Sequence, residues 1–254
     1  MFSKIILTNR KLCYKIQKYL PQAKINFSEK YVQLVTRYMN SKSNQIIVDV
    51  GSGKSCSYAK NKNMELNTKI IAVDISMDEL IFNNDVDEKI VSDALDNLPF
   101  KNEEIDIVTS KSFLEHLENI EDFILQSRRV IKRGGLFIHL FPCRYAPFAI
   151  INQMLPNKIA KKLLYCIIPE SKGISGFPAY YDRCYNSSIT RLLEKYDFEI
   201  IESYFSYYQS PYFNFLLPLF LLSVIYEYLL LKTNAKNLSA YMIIVARKKV
   251  NISD

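Results

Sequence analysis

The sequence is poor in the residues that metal and disulfide chemistry need. It has two histidines and five cysteines in 254 residues. The cysteines stand at 13, 56, 143, 166 and 184, none in a C-x-x-C pair and none with a histidine at ligand spacing. An odd number of isolated cysteines reads as free thiols in a reducing compartment, and no metal site is expected. No lysine or arginine block exceeds three residues, which argues against nucleic acid as a partner despite a net charge of +7. That charge leaves an anionic membrane surface or an acidic substrate as alternatives. No internal repeat or low-complexity tract is present. No continuous apolar stretch opens the chain either, because Lys4, Arg10, Lys11, Lys15 and Lys18 interrupt residues 1–20. An export signal is therefore not expected, and a cytoplasmic location is. With 49% hydrophobic and 23% charged residues the chain is not disordered, and its length suits one large domain.

Glycine is also scarce, six in all, and two of the six close one apolar run. Gln45-Ile46-Ile47-Val48-Asp49-Val50-Gly51-Ser52-Gly53-Lys54-Ser55 reads as a buried strand running into a tight turn. Its apolar residues are β-branched and do not alternate, as in a strand covered on both faces. Gly51 and Gly53 permit positive φ and close approach to a bound group. A helix is expected to begin at Ser52–Ser55, offering free N–H groups. Strand, glycine turn and helix start together form a nucleotide-type site. The dinucleotide pattern G-x-G-x-x-G needs a glycine at Cys56, and the Walker A pattern needs one at Val48. Neither is there. What remains is Asp49-x-Gly51-x-Gly53.

Further strands are expected over Ile70–Asp74, Ile90–Ala94, Ile105–Ser110, Leu136–Phe141, Phe198–Tyr204 and Tyr241–Arg247. Asp74 ends the second strand 23 residues after Gly51, near the interval at which an acid meets a ribose. A carboxylate there can accept from both ribose hydroxyls. Asp74 can equally cap a helix, since Ser76 and Asp78 follow. Helices are expected over residues 4–20, from Ser28 to Met39 with Phe27 and Val32 as a hydrophobic staple, over Phe123–Val130, and over Ser188–Tyr196. Lys132-Arg133-Gly134-Gly135 reads as a glycine C-cap.

Val48-Asp49-Val50-Gly51-Ser52-Gly53 resembles the first motif of class I S-adenosylmethionine (SAM) dependent methyltransferases of the type 11 kind. Leu98-Pro99-Phe100, the Ile105-Asp106-Ile107-Val108 strand followed by Leu114-Glu115-His116-Leu117, and Arg129-Val130-Ile131-Lys132-Arg133-Gly134-Gly135 resemble later motifs of the same family. The resemblance is close over residues 45–142 and looser over 188–205 and 240–248. Ser55 stands where the family commonly has a further glycine. The resemblance implies a Rossmann-like α/β fold, with seven mostly parallel strands, an antiparallel last strand and helices on both faces. It implies SAM as cofactor, bound by Asp49, Gly51, Ser52, Gly53, Asp74, Ile75, Asp93, Ala94 and Ser110. Asp93 would accept from the adenine amino group, though it can also cap a turn. His116, Asp182 and Tyr181 are the candidates for a catalytic base. His116 can equally be a packing residue, and His139, inside a strand, reads as structural.

Residues 1–44 are expected to cap the core, and 45–254 to form the methyltransferase domain. Helical insertions are expected after strands five and six, at about 143–185 and 207–238. The second contains Tyr212–Leu231, with one charge in twenty residues, long enough for a membrane span. A span would carry the seventh strand away from its sheet. An in-plane segment, or a hairpin broken at Pro218, is expected instead. Both insertions follow strand ends where ligands bind in open α/β sheets. The acceptor is therefore expected to be a small molecule or a lipid-linked one, with a membrane surface as a further partner on its inner face. A lid or a dimer contact is the alternative use of the same residues. Oligomeric state and acceptor are open.

Overall fold

The structure is a computed structural model that describes residues 2–156, 158–159, 165 and 177–250. Seven strands form one sheet: β1 (Ile46–Val50), β2 (Lys69–Asp74), β3 (Glu88–Val91), β4 (Ile105–Lys111), β5 (Ile131–Pro142), β6 (Phe198–Ser206) and β7 (Tyr241–Lys248). Their order is β3-β2-β1-β4-β5-β7-β6. The first five are parallel, and β7 runs antiparallel between β5 and β6. The order reverses between β1 and β4, which opens a crevice at the carboxyl ends of those strands.

The unalternating strands are explained by what covers them. Val48, Val50, Ile71 and Val73 face one core, with Phe123 and Ile124 of α4 (Ile120–Val130) and Ile189 and Leu193 of α6 (Asn186–Lys195). Ile47, Ile70, Ile107 and Ile138 face the other, with Tyr31, Leu34 and Met39 of α2 (Phe27–Met39). Both faces are dry, so the positions of β1 and β2 are apolar save Asp49, Asp74 and the leading Lys69.

Several boundaries differ from the sequence reading. Helix α2 starts at Phe27, and its cap is Asn26, whose side chain accepts from the Glu29 N–H. Ser28 is thus inside the first turn. No α-helix follows the glycine turn. The chain from Ser52 to Asn67 makes two 3-10 turns, Ala59–Asn61 and Met64–Leu66, and leaves the second through Asn67 at φ +50°. This stretch is crowded with serine, asparagine and lysine, and Ser and Asn compete for backbone hydrogen bonds in non-helical conformations. Its apolar residues Cys56, Tyr58 and Ala59 pack instead against the core beneath α2.

The glycine pair after α4 is not a helix cap either. The helix ends at Val130, and Lys132–Gly135 lie inside β5. Ile105 pairs with Ile131 and Ile107 with Leu136, so β5 bulges by three residues there. Gly134 sits at φ +76°, and a Cβ on Gly135 would meet the Asp106 carbonyl at 2.9 Å. Strand β3 ends at Val91, which leaves Asp93 and Ala94 in the loop beyond it.

The first insertion begins with α5 (Pro147–Met154). Most of 157–176, including Cys166, falls outside the described residues. Cys13, Cys56, Cys143 and Cys184 are free thiols, as expected. The second insertion is a 3-10 turn, Ser210–Phe213, followed by α7 (Leu217–Thr233). Pro218 lies in the first turn of α7, where proline is tolerated, so it starts a helix and breaks no hairpin. The N-terminal α1 (Phe2–Gln17) packs on α7, with the Asn9 amide donating to the Phe215 carbonyl. Among the described residues no helix is long and apolar enough to cross a membrane.

Glu227, the lone charge of the apolar stretch, is buried at 2% exposure. It accepts from the backbone N–H groups of Gln209 and Ser210, the start of the 3-10 turn. The charge is therefore an internal tie between α7 and the end of β6.

Candidate active site

The glycine turn is held from below by β2. The N–H of Gly51 donates to the Val73 carbonyl at 2.8 Å, and that of Gly53 donates to Asp74 Oδ2 at 3.0 Å. Asp74 Oδ1 accepts from the Ser76 N–H at 3.0 Å. Ser76 in turn caps α3 (Met77–Leu80). Asp74 thus organises the turn, yet each carboxylate oxygen keeps a further lone pair for a ligand hydroxyl. The helix cap expected as the alternative for Asp74 is supplied by Ser76 instead, and the hydroxyl-acceptor role stays open to Asp74.

Gly51 and Gly53 both adopt left-handed φ, +64° and +54°. Their surroundings differ. A Cβ on Gly51 would come within 3.0 Å of three Phe113 carbons, whereas one on Gly53 would meet nothing within 4 Å. Gly51 is required by packing, and Gly53 borders open space in the crevice. Asn83, fully buried, donates to Ser52 Oγ at 2.9 Å and to the Gly53 carbonyl at 3.2 Å. No motif marks Asn83, and the sequence offers no signal for its role.

Asp49 lies at the end of β1 and is 7% exposed. Ser52 Oγ donates to it at 2.7 Å. Burial pushes its carboxyl up to about 6, against the opposing pull of the Ser52 hydrogen bond and, more weakly, Lys111. A buried carboxylate in that state favours a cationic partner.

Asp93, half-buried, accepts from the Leu95 N–H through Oδ1, forming the turn that was its alternative role. Ala94 beside it is buried. Ile75 is 58% exposed directly after Asp74, and Met77 two residues on is exposed as well. An exposed apolar side chain beside a carboxylate suits the face of a flat heterocycle. Ser110 does not reach the crevice with its side chain. It is fully buried, and its hydroxyl is paired with His139 Nδ1 at 2.7 Å. Burial holds His139 well below the ordinary histidine range, so it is a neutral structural group.

The catalytic candidates gather under the first insertion. His116 lies in a 3-10 turn, Leu114–His116, and its Nδ1 donates to the Pro178 carbonyl at 2.8 Å. Burial lowers its pKa, so the imidazole is neutral. Tyr181 is buried, at φ +54°, with its hydroxyl 3.4 Å from Asn152 Nδ2. Asp182 accepts from the Ile120 N–H at 3.1 Å, in the first turn of α4, whose N-cap is Asn119. That is a structural duty, and it turns the Asp182 carboxylate toward a helix end. Glu115, absent from the expected site, is buried between His116 and Tyr181. Its carbonyl accepts from the N–H groups of Tyr180 and Tyr181. Leu114-Glu115-His116 resembled a family motif, and that adjacency was the available signal.

The comparisons agree with this geometry. Residues 48–139 match a family profile described as a methyltransferase domain. An uncharacterized protein of Methanocaldococcus jannaschii is 34% identical over 91 residues, which cover 36% of this chain and 40% of that protein. The match thus spans about two-fifths of the curated relative's length. Among solved structures, geranyl diphosphate C-methyltransferase of Streptomyces coelicolor A3(2), with S-adenosylhomocysteine bound, aligns at TM-score 0.58 and 13% identity. The alignment covers 87% of this chain and 80% of that one. Phosphoethanolamine N-methyltransferase 2 of Haemonchus contortus, with SAM bound, aligns at 0.55 and 16% identity, covering 87% and 53%. The [4+2]-cyclase SpnF aligns at 0.55 and 15% identity, covering 88% and 81%. At these identities the structures speak for the fold. The glycine turn, the acid at the end of β2 and the strand order thus lie in a chain whose residues 48–139 match a methyltransferase domain and whose fold is similar to that of these solved structures.

Proposed function

We propose that the protein transfers the methyl group of SAM to an acceptor held beneath the two insertions. The observation that carries this reading is the crevice itself: a glycine turn with open space at Gly53 and a carboxylate, Asp74, beside it. In that reading Asp74 accepts from the ribose hydroxyls, Asp93 from the adenine amino group, and Ile75 lines the ring. Asp49, buried and short of a cation, suits the cofactor's ammonium group. When bound, SAM supplies an electron-poor sulfonium methyl. The chain's own work is to position the acceptor and exclude water. Buried Tyr181, with the partly buried rings of Phe148, Tyr212 and Tyr241, suits that task.

Asp74→Ala should weaken SAM binding by about 1–3 kcal/mol, the range for losing hydrogen bonds to a charged group. Calorimetric titration checks this, and an unchanged affinity would remove Asp74 from the site. Incubation with methyl-labelled SAM and fractionated cell extract then tests transfer itself. The alternative is a SAM-binding protein that transfers no methyl group, and the likeness to a [4+2]-cyclase is consistent with a use of this fold other than methyl transfer. Binding without any labelled product would favour that second reading.

The finer proposal is that the acceptor is apolar and presented at a membrane surface. Helix α7 leaves Leu221, Leu222, Ile225, Tyr228 and Leu229 exposed, and α1 beside it leaves Leu7 and Leu12 exposed. Lys232 lies in the last turn of α7 and Lys236 follows it, and α1 carries exposed Lys11 and Lys15 with Lys18 just after it. Anionic lipid heads attract such lysines by about 1 kcal/mol each. The protein should therefore float with anionic vesicles, and Leu222→Glu with Ile225→Glu should release it while SAM affinity stays unchanged. A protein that ignores vesicles and dimerises through this face would support the soluble-acceptor alternative.

A further inference from the structure

Asn83 is fully buried and reaches the glycine turn from the far end of α3, where its backbone N–H donates to the Leu80 carbonyl at 3.0 Å. Its side-chain amide fits in one orientation. Nδ2 lies 3.2 Å from the Gly53 carbonyl, which can only accept, and Oδ1 lies 3.3 Å from the Asp85 N–H, which can only donate. Nδ2 is therefore the atom that meets Ser52 Oγ at 2.9 Å, and it donates there. Ser52 has one hydroxyl hydrogen, and the bond to Asp49 Oδ2 at 2.7 Å takes it. Three buried groups thus form a directed chain: Asn83 donates to Ser52, and Ser52 donates to Asp49.

The same loop holds the rest of the turn. Asp85 Oδ2 accepts from the Cys56 N–H at 2.9 Å. Ser76, at the start of α3, donates its N–H to Asp74 Oδ1, and Asp74 Oδ2 accepts from the Gly53 N–H. These bonds close a ring through Asp74, α3, Asn83 and Gly53, with Asp49 joined to it by Ser52. A helix after the glycine turn would fix the turn through its own backbone ladder. No α-helix follows Gly53 here, and side chains of the loop between α3 and β3 supply the fixing. The Ser52 bond also favours the charged form of Asp49 against the burial that opposes it.

We propose that Asn83 is a positioning residue for the amino-acid end of the cofactor: by fixing the Ser52 hydroxyl it aims Asp49 at the ammonium group. This rests on the reading of the crevice as a SAM site, and on the hydrogen-bond directions for the role of Asn83. It assigns the preference for a nucleoside that carries an amino acid over a truncated one to a residue 30 positions beyond Gly53. Asn83 touches no part of the ligand in this account and acts only through Ser52 and Asp49.

The test compares S-adenosylhomocysteine with 5′-methylthioadenosine, which keeps the adenosine and the thioether but lacks the amino-acid end. Each is titrated calorimetrically into the full chain and into Asn83→Ala, Ser52→Ala and the double variant. Asn83→Ala should weaken S-adenosylhomocysteine about tenfold and 5′-methylthioadenosine less than about twofold, the size expected for one hydrogen bond to a charged group. Ser52→Ala should do the same, and the double variant should lose no more than either single one, because both interrupt one chain. Equal losses for the two probes would show that Asn83 only shapes the turn, and additive losses would show that it acts apart from Ser52; either result overturns the proposal. A Ser52→Ala protein with native affinity for S-adenosylhomocysteine overturns it too, whatever the fold of Asn83→Ala. A native chain that binds neither probe would overturn the SAM reading, and this proposal with it.

Discussion

Gly51→Val should yield a protein that no longer binds SAM and melts well below the native chain. Two costs add. Valine at φ +64° is a strained conformation, of roughly 1–3 kcal/mol. Its Cβ also enters the Phe113 ring, which is itself held edge-on against buried Phe123 at 5.3 Å. Overpacking of that kind costs about 1–3 kcal/mol more. In a chain of this size each kcal/mol moves the melting temperature by roughly 2–4 °C. Gly53→Val is the informative partner. It carries the backbone strain but meets no neighbour, so it should melt closer to the native protein. Its Cβ would enter the crevice, so SAM binding should still fail. Scanning calorimetry and titration calorimetry on the pair check both statements. Equal melting temperatures for the two variants would show that Phe113 does not set the requirement at Gly51.

Glu227→Ala should destabilise the protein nearly as much, by a different route. The native carboxylate accepts from two buried backbone N–H groups, Gln209 and Ser210, and lies near the Ser210 and Ser223 hydroxyls. Alanine leaves those donors buried and unpaired. Each such group costs about 1–3 kcal/mol, so the loss should reach roughly 2–5 kcal/mol. Glu227→Gln keeps an acceptor oxygen and should lose less. Denaturant unfolding ranks the three proteins. If Glu227→Ala unfolds with the native midpoint, the carboxylate does not tie α7 to the sheet.

The central strands were legible in the sequence because both of their faces are covered. Apart from Asp49, Ile46–Val50 and Ile70–Val73 contain no polar position that a solvent-facing strand would show. The family motif around Asp106 was legible for a reason the structure supplies. Asp106 accepts from the Ile46 N–H and from Lys132, so it fastens β1 and the β5 bulge to β4. The missing helix after Gly53 was not legible from spacing, since Cys56, Tyr58 and Ala59 there pack into a core shared with α2, a contact that no local pattern encodes. The glycine pair at 134–135 resembled a helix cap because glycine marks left-handed φ without saying whether a helix or a bulge requires it. Ser110 resembled a crevice residue by its position in β4, but the alternation of the strand sends its hydroxyl inward to His139. Glu115 was hidden beside His116, because sequence shows adjacency and only the fold shows which neighbour is buried without a partner. The Asp182 bond to the first turn of α4 is a contact between residues 62 positions apart, which no local pattern encodes.

The central claim is that SAM occupies the crevice at the carboxyl ends of β1 and β2, and calorimetric titration of SAM into the native chain tests it most directly. The account predicts saturable binding of one SAM per chain, competition by S-adenosylhomocysteine, and a loss of affinity in Asp74→Ala with the fold intact. A folded native protein that gives no saturable binding heat and no shift in melting temperature with SAM would contradict it.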